Sequence, residues 1–167
     1  MKRITILSSA IASLFFPFMQ LPSQGTPKLR FVCLPGPRSI PTTYAWNSRG
    51  KIALIRWEKT FGTYSPQQRC QEVSPRFQQA YNNGSLKFLT NSYMNGQSVI
   101  CATKEYKGHC ESLIMTLGNN ENGQKIVNTL KDNLNGYNVG PSIHTNQVFI
   151  EINLDEYLRN APVETNN

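Results

Sequence analysis

Apolar residues in this chain recur at two periods, and the switches between them mark out its elements. Residues 28–33 alternate between apolar and polar, and residues 42–46 and 51–57 are rich in β-branched and aromatic side chains, so all three predict strands. Pro35-Gly36-Pro37 and Asn47-Ser48-Arg49-Gly50 separate them as breaks, which makes a meander. The period then changes. Cys70, Val73, Phe77, Ala80 and Tyr81 fall at helical spacing and form one stripe. Ser65, Pro66 and Gln68 start that helix as a capping box with proline in its first turn. Pro75 lacks the amide proton that would bond the Gln71 carbonyl, so a kink or short break is expected at Ser74, and Asn82-Asn83-Gly84 ends the helix.

Period two returns in residues 85–90 and 97–102, joined through Asn95-Gly96, a strong hairpin-turn signal. Residues 111–117 predict another strand. A second helix is predicted over 123–134, with Ile126, Val127, Leu130 and Leu134 on one side and Asn135-Gly136 at its end. Residues 148–153 predict the last strand, 155–160 a short helix, and 161–167 a flexible tail. The product is an α+β fold: an antiparallel sheet of six to seven strands with two main helices, mainly on one face. Three regions follow: residues 1–25 as a secretory signal, 26–160 as a single domain, and 161–167 as the tail.

The leader reading rests on Lys2 and Arg3, the 18-residue apolar run 4–21, and the small or helix-breaking residues 22–27. Ser23 and Gly25 place cleavage after Gly25. The rival is an uncleaved anchor, since 18 residues lie at the short edge of what spans a bilayer. Export carries Cys33, Cys70, Cys101 and Cys110 into an oxidising compartment, the periplasm, cell envelope or medium, where two disulfides are expected. Three pairings exist. The eight residues between Cys101 and Cys110 can close a hairpin, which favours that bond and leaves Cys33 with Cys70. Zinc competes poorly, because the spacing is too wide for a knuckle.

Charge is uneven along the chain. Residues 26–107 carry twelve basic and three acidic side chains, whereas 108–167 carry three basic and seven acidic. An anionic membrane surface or an acidic envelope polymer suits the basic part, and nucleic acid is not among the expected partners. The plainer account is a solvated surface, as no short window holds four Lys or Arg.

Motifs that carry catalysis are missing. His109 adjoins Cys110, which has no thiolate to offer if oxidised, and His144 has no Gly-x-Ser-x-Gly elbow to serve. No phosphate loop, dinucleotide fingerprint or His-Glu-x-x-His occurs, and no cofactor or metal is expected. Glu111, Glu151, Asp155 and Glu156 could line a hydrolytic cleft, although Asp155-Glu156 equally suits a helix N-terminus.

A set of landmarks runs through most of the chain: Phe31-x-Cys33, Pro41-Thr-Thr43, Ile55-Arg-Trp57, Phe61 and Ser65-Pro-Gln-Gln-Arg-Cys70-Gln-Glu-Val-Ser74-x-Arg76-Phe77. Leu89-Thr90, Asn95-Gly-Gln-x-Val-Ile-Cys-Ala102, Cys110 and Leu113-Ile-Met-Thr-Leu117 continue it. In these the chain resembles the circadian oscillating protein family of cyanobacteria over residues 30–135. The resemblance implies a signal sequence and peripheral membrane association, and it transfers no catalytic residue. Pro75 departs from the family pattern.

The expectation is therefore a non-catalytic envelope protein at a membrane surface, with a secreted hydrolase or hydrolase inhibitor as the alternative. Lys51, Arg69, Arg76 and Lys87 are the candidate anion or headgroup contacts. For Arg69 and Arg76 the preferred role is bracing the helix against the sheet, over Trp57 through a cation–π contact. Trp57 and Phe77 are expected in the core.

Overall fold

The computed structural model describes residues 28–134, 137–138 and 147–165. The expected leader, His144 and the turn at 135–136 lie outside them. In chain order the elements are β1 (Arg30–Pro35), β2 (Pro41–Asn47), β3 (Gly50–Arg56), α1 (Pro66–Asn82), β4 (Phe88–Met94), β5 (Gln97–Thr103) and β6 (Ser112–Thr116). There follow α2 (Gly123–Asn133), β7 (Tyr137–Asn138), β8 (Phe149–Glu151) and α3 (Leu154–Asn160). The α+β class, the antiparallel pairing and both main helices are as expected.

One feature of the architecture differs. The strands form two antiparallel sheets, β1-β2-β3 and β6-β5-β4-β8-β7, rather than one. The reason lies at the edges of the first sheet. On the β1 side, the Phe31 amide donates to Gln78 Oε1 of α1 at 2.8 Å. On the β3 side, the C-terminal segment bridges Lys51 to Glu164, and the Glu164 amide donates to the Lys51 carbonyl at 2.8 Å. These groups satisfy edge positions that another strand would otherwise take. Within the segment expected as a tail, Ala161 is buried and Glu164 is tied to Tyr44 and Arg56.

Local chemistry explains the element ends. Ser65 Oγ accepts from the Gln68 amide, and Gln68 Oε1 accepts from the Ser65 amide, which completes the capping box. Asn122 and Asn153 cap α2 and α3 through their side-chain oxygens. Asn95 and Gly96 both have positive φ, 51° and 76°, as a two-residue hairpin turn requires. The expected break at Ser74 does not occur, for α1 runs through Pro75 to Asn82. The strand expected from residue 85 begins at Phe88, because Ser85 is used in the turn, bonding Ser112 Oγ at 2.8 Å.

One hydrophobic core joins both sheets. Phe31, Ile52 and Leu54 of the first meet Leu89, Ile100, Ile114 and Ile150 of the second through Val73, Phe77 and Ala80 of α1. Phe31 and Phe77 stack at 5.7 Å. Two disulfides, Cys33–Cys70 and Cys101–Cys110, tie β1 to α1 and β5 to the loop before β6. A polar chain crosses the core: Trp57 Nε1 donates to Thr43 Oγ1 at 2.9 Å, and Ser74 Oγ bonds Thr43 Oγ1 at 3.0 Å and the Cys70 carbonyl at 2.8 Å.

Candidate functional site

The first sheet places a basic and aromatic row on its surface. Register sets Arg30 opposite Trp46, and Trp46 opposite Lys51. Directly opposed residues share a sheet face. Ala45 faces the core and Trp46 the opposite side, where Tyr44 is still buried but Trp46, near the strand end, is 44% exposed. Arg30 and Lys28 are exposed as well, and Lys51 Nζ lies 5.6 Å over the Tyr44 ring. Lys51 was legible as a candidate in the sequence, whereas Arg30 and Trp46 were not. Strand alternation around buried Ala45 is the signal that would have found them.

The other candidate cations are held by different partners. Arg69 lies 4.8 Å from the Trp57 ring and 5.0 Å from the Phe61 ring, with Glu121 at 3.8 Å and only 14% of its side chain exposed. The clamp needs Gly118, where a Cβ would come 2.0 Å from Phe61. Arg76 pairs with Glu72 at 3.7 Å and reaches the Ile114 carbonyl at 3.5 Å. Both arginines thus brace α1, whose face meets β6 and the residues after β3. Lys87 is exposed and lines a separate cleft of about 620 Å³ with Glu151 and Asp155.

A family model described as circadian oscillating protein COP23 matches residues 30–159. The chain belongs to that family. The matched span runs from the start of β1 nearly to the end of α3 and takes in both disulfides, the Arg69 clamp and the Trp46 row. Among curated proteins and among solved structures nothing matches.

Within this COP23 domain the candidate carboxylates are dispersed. Glu111 pairs with Lys104 at 3.2 Å and accepts the Lys104 amide at 3.1 Å, and that backbone bond leads in holding its carboxyl below the usual range. Glu156 accepts from Asn153 Nδ2 at 2.8 Å. Glu151 and Asp155 share the Lys87 cleft. Glu164 is buried enough for desolvation to raise its pKa, yet the Tyr44 hydroxyl and Arg56 outweigh this and leave it lowered. Carboxylates lowered in this way stay ionised at neutral pH and suit ion pairs rather than proton donation.

Tyr157 is pushed up to about 12 by burial, and its hydroxyl donates to the Ala53 carbonyl at 2.9 Å. His109 is exposed beside an oxidised cysteine. Among the described residues no three of His, Cys, Asp and Glu gather as a metal site.

Proposed function

We propose that this chain is an exported, non-catalytic envelope protein that adheres to an anionic surface through the Arg30–Trp46–Lys51 row. The observation that carries the reading is the indole, 44% exposed, set by register between exposed Arg30 and half-buried Lys51. Indoles favour the interface between headgroups and acyl chains, and each nearby cation adds about 1 kcal/mol against anionic lipid. The charge bias of residues 26–107 acts in the same direction. Among the described residues no helix is long and apolar enough to cross a membrane, so the domain's own contact would be peripheral. The charged start and apolar run of residues 1–25 support export.

Liposome co-sedimentation tests the reading. Binding should require anionic lipid and fall between 0.1 M and 1 M salt, as the Debye length shrinks from about 10 Å to about 3 Å. Arg30→Glu and Trp46→Ala should each weaken it at least about fivefold, by the loss of roughly 1 kcal/mol or more. Equal binding to neutral vesicles, or indifference to both substitutions, overturns the proposal.

A hydrolase acting on envelope polymers rests on Glu151 and Asp155 in the Lys87 cleft. Asp155 also lies in the first turn of α3, where the helix dipole accounts for a carboxylate. Release of reducing ends from envelope polysaccharide, abolished by Glu151→Gln, would favour that second reading.

A further inference from the structure

The β4–β5 hairpin changes character along its inner face. Leu89, Ile100 and Ala102 are fully buried there. Towards the tip the same face continues as Asn91, Ser98 and Tyr93, by the register pairs Asn91↔Ile100 and Tyr93↔Ser98. The core ends at this point because α2 begins: a Cβ at Gly123 would come 2.9 Å from Asn91 Cβ and 3.4 Å from Ser98 Oγ. Beyond that approach the hairpin tip and the loop before α2 enclose a cleft of about 870 Å³.

Its chemistry is specific. Carboxamides dominate the lining, among them Gln97, Asn119, Asn120, Gln124 and Gln147. Among the described residues the one charged lining side chain, Glu121, accepts the Gly118 amide at 3.0 Å and faces Arg69 at 3.8 Å, so the fold already uses its carboxylate. Asn91 and Asn122 likewise serve the fold, accepting from the amides of Val148 and Lys125 at 2.8 Å and 3.0 Å. The five carboxamides named above make no side-chain hydrogen bond to other described residues. Each brings two donors and an acceptor. Tyr93 stands at the rim, 78% exposed.

We propose that this cleft is a binding site for a neutral oligosaccharide. A ligand recognised here must carry many hydroxyls and little charge, because amides both donate and accept and, among the described residues, no cation lines the cleft to fix phosphate or carboxylate. The aromatic ring offers the apolar face on which the C–H side of a pyranose packs, while its hydroxyl remains wet. A volume of about 870 Å³ falls in the ordinary range of ligand pockets and suits a short run of sugar units. The site shares no residue with the Arg30–Trp46–Lys51 row and does not depend on it.

Titration calorimetry of the full chain with cellohexaose, maltohexaose and chitohexaose tests the site, with an oligogalacturonate and a glycine–serine peptide as controls. At least one neutral hexasaccharide should bind with a Kd at or below about 1 mM. Its affinity should be the same at low and high salt and in Arg30→Glu. Tyr93→Ala should weaken binding about tenfold and Asn120→Ala several-fold, both with unchanged thermal melting. Failure of all three sugars to bind, equal affinity in both variants, or binding of the peptide alone overturns the assignment.

Discussion

Thr43→Val is the most discriminating substitution in this fold. Thr43 is fully buried, as its neighbours Ser74 and Trp57 nearly are, at 1% and 4% exposure. One proton order satisfies the chain they form: the Trp57 indole donates to Thr43, Thr43 to Ser74, and Ser74 to the Cys70 carbonyl. Valine keeps the shape and removes the central oxygen. Ser74 retains the Cys70 carbonyl, but the indole N–H is left without a partner. An orphaned buried donor costs about 1–3 kcal/mol, and with the lost Thr43–Ser74 bond the total is about 2–3 kcal/mol. Thr43→Ser keeps the oxygen and removes one methyl, worth about 1 kcal/mol.

The order of the two variants separates the explanations. If the core were governed by apolarity alone, valine would match or exceed the wild type and serine would be the weaker protein. The hydrogen-bond account reverses that order. Urea unfolding followed by far-UV circular dichroism measures both, and a cycle with Trp57→Phe isolates the pair, with an expected coupling of about 1–2 kcal/mol. A Thr43→Val protein as stable as the wild type, or a coupling near zero, would refute the reasoning.

Two further outcomes follow, one from the disulfides and one from Glu164. Chain entropy assigns about 4 kcal/mol to Cys33–Cys70, with its separation of 37, and about 2.5 kcal/mol to Cys101–Cys110, with its separation of 9. Paired Cys→Ser variants in urea should therefore fall in that order, and a larger loss from the short loop would contradict it. Glu164 has a folded pKa below its unfolded value, so its contribution is present above the ordinary carboxylate range and is lost as pH falls through the folded pKa. The stability gap between wild type and Glu164→Gln should hold at neutral pH and close on acidification. Glu111, also lowered, is common to both proteins and drops out of the difference. A gap that widens in acid would mean that the Tyr44–Glu164–Arg56 contact is not the source.

Local signals were the legible ones. The capping box, the Asn95-Gly96 turn and the Cys101–Cys110 closure each depend on residues within a few positions, and strand alternation was strong enough to place β1 to β6. What escaped depends on distant partners. Glu164 finds β3 from more than a hundred positions away, and nothing in Ala161-Pro162-Val163-Glu164 announces an edge-capping segment. The split into two sheets follows from that same contact and from Gln78, so two distant contacts concealed the architecture. Pro75 is a different case: of the kink or short break that it predicted at Ser74, the break does not form, because packing of Val73, Ser74 and Phe77 on the core carries α1 across it. The amide cleft escaped because its walls meet only when α2 docks on the hairpin; in sequence its residues read as ordinary turns.

The division of contacts explains why recognition and stability can be probed apart in this protein. Helix α1 packs against β1 and β2 of one sheet and β6 of the other, while α2 packs against β4, β5 and β8. The Thr43–Trp57–Ser74 chain, the Arg69 clamp and Cys33–Cys70 all converge on α1, so damage there reaches both sheets at once. Trp46 and Tyr93 lie outside this arrangement. Each is a large ring held open to water at 44% and 78% exposure, Trp46 beside buried Ala45 on β2 and Tyr93 at the hairpin tip, beyond the point where the core on its face ends. Their removal deletes little buried area, and surface substitutions of this kind usually shift stability by no more than about 0.5 kcal/mol. A tenfold loss of ligand affinity in Tyr93→Ala, or a collapse of vesicle binding in Trp46→Ala, could not then be assigned to unfolding. Conversely, if either variant melts early, its ring is doing structural work and the site built on it loses its basis.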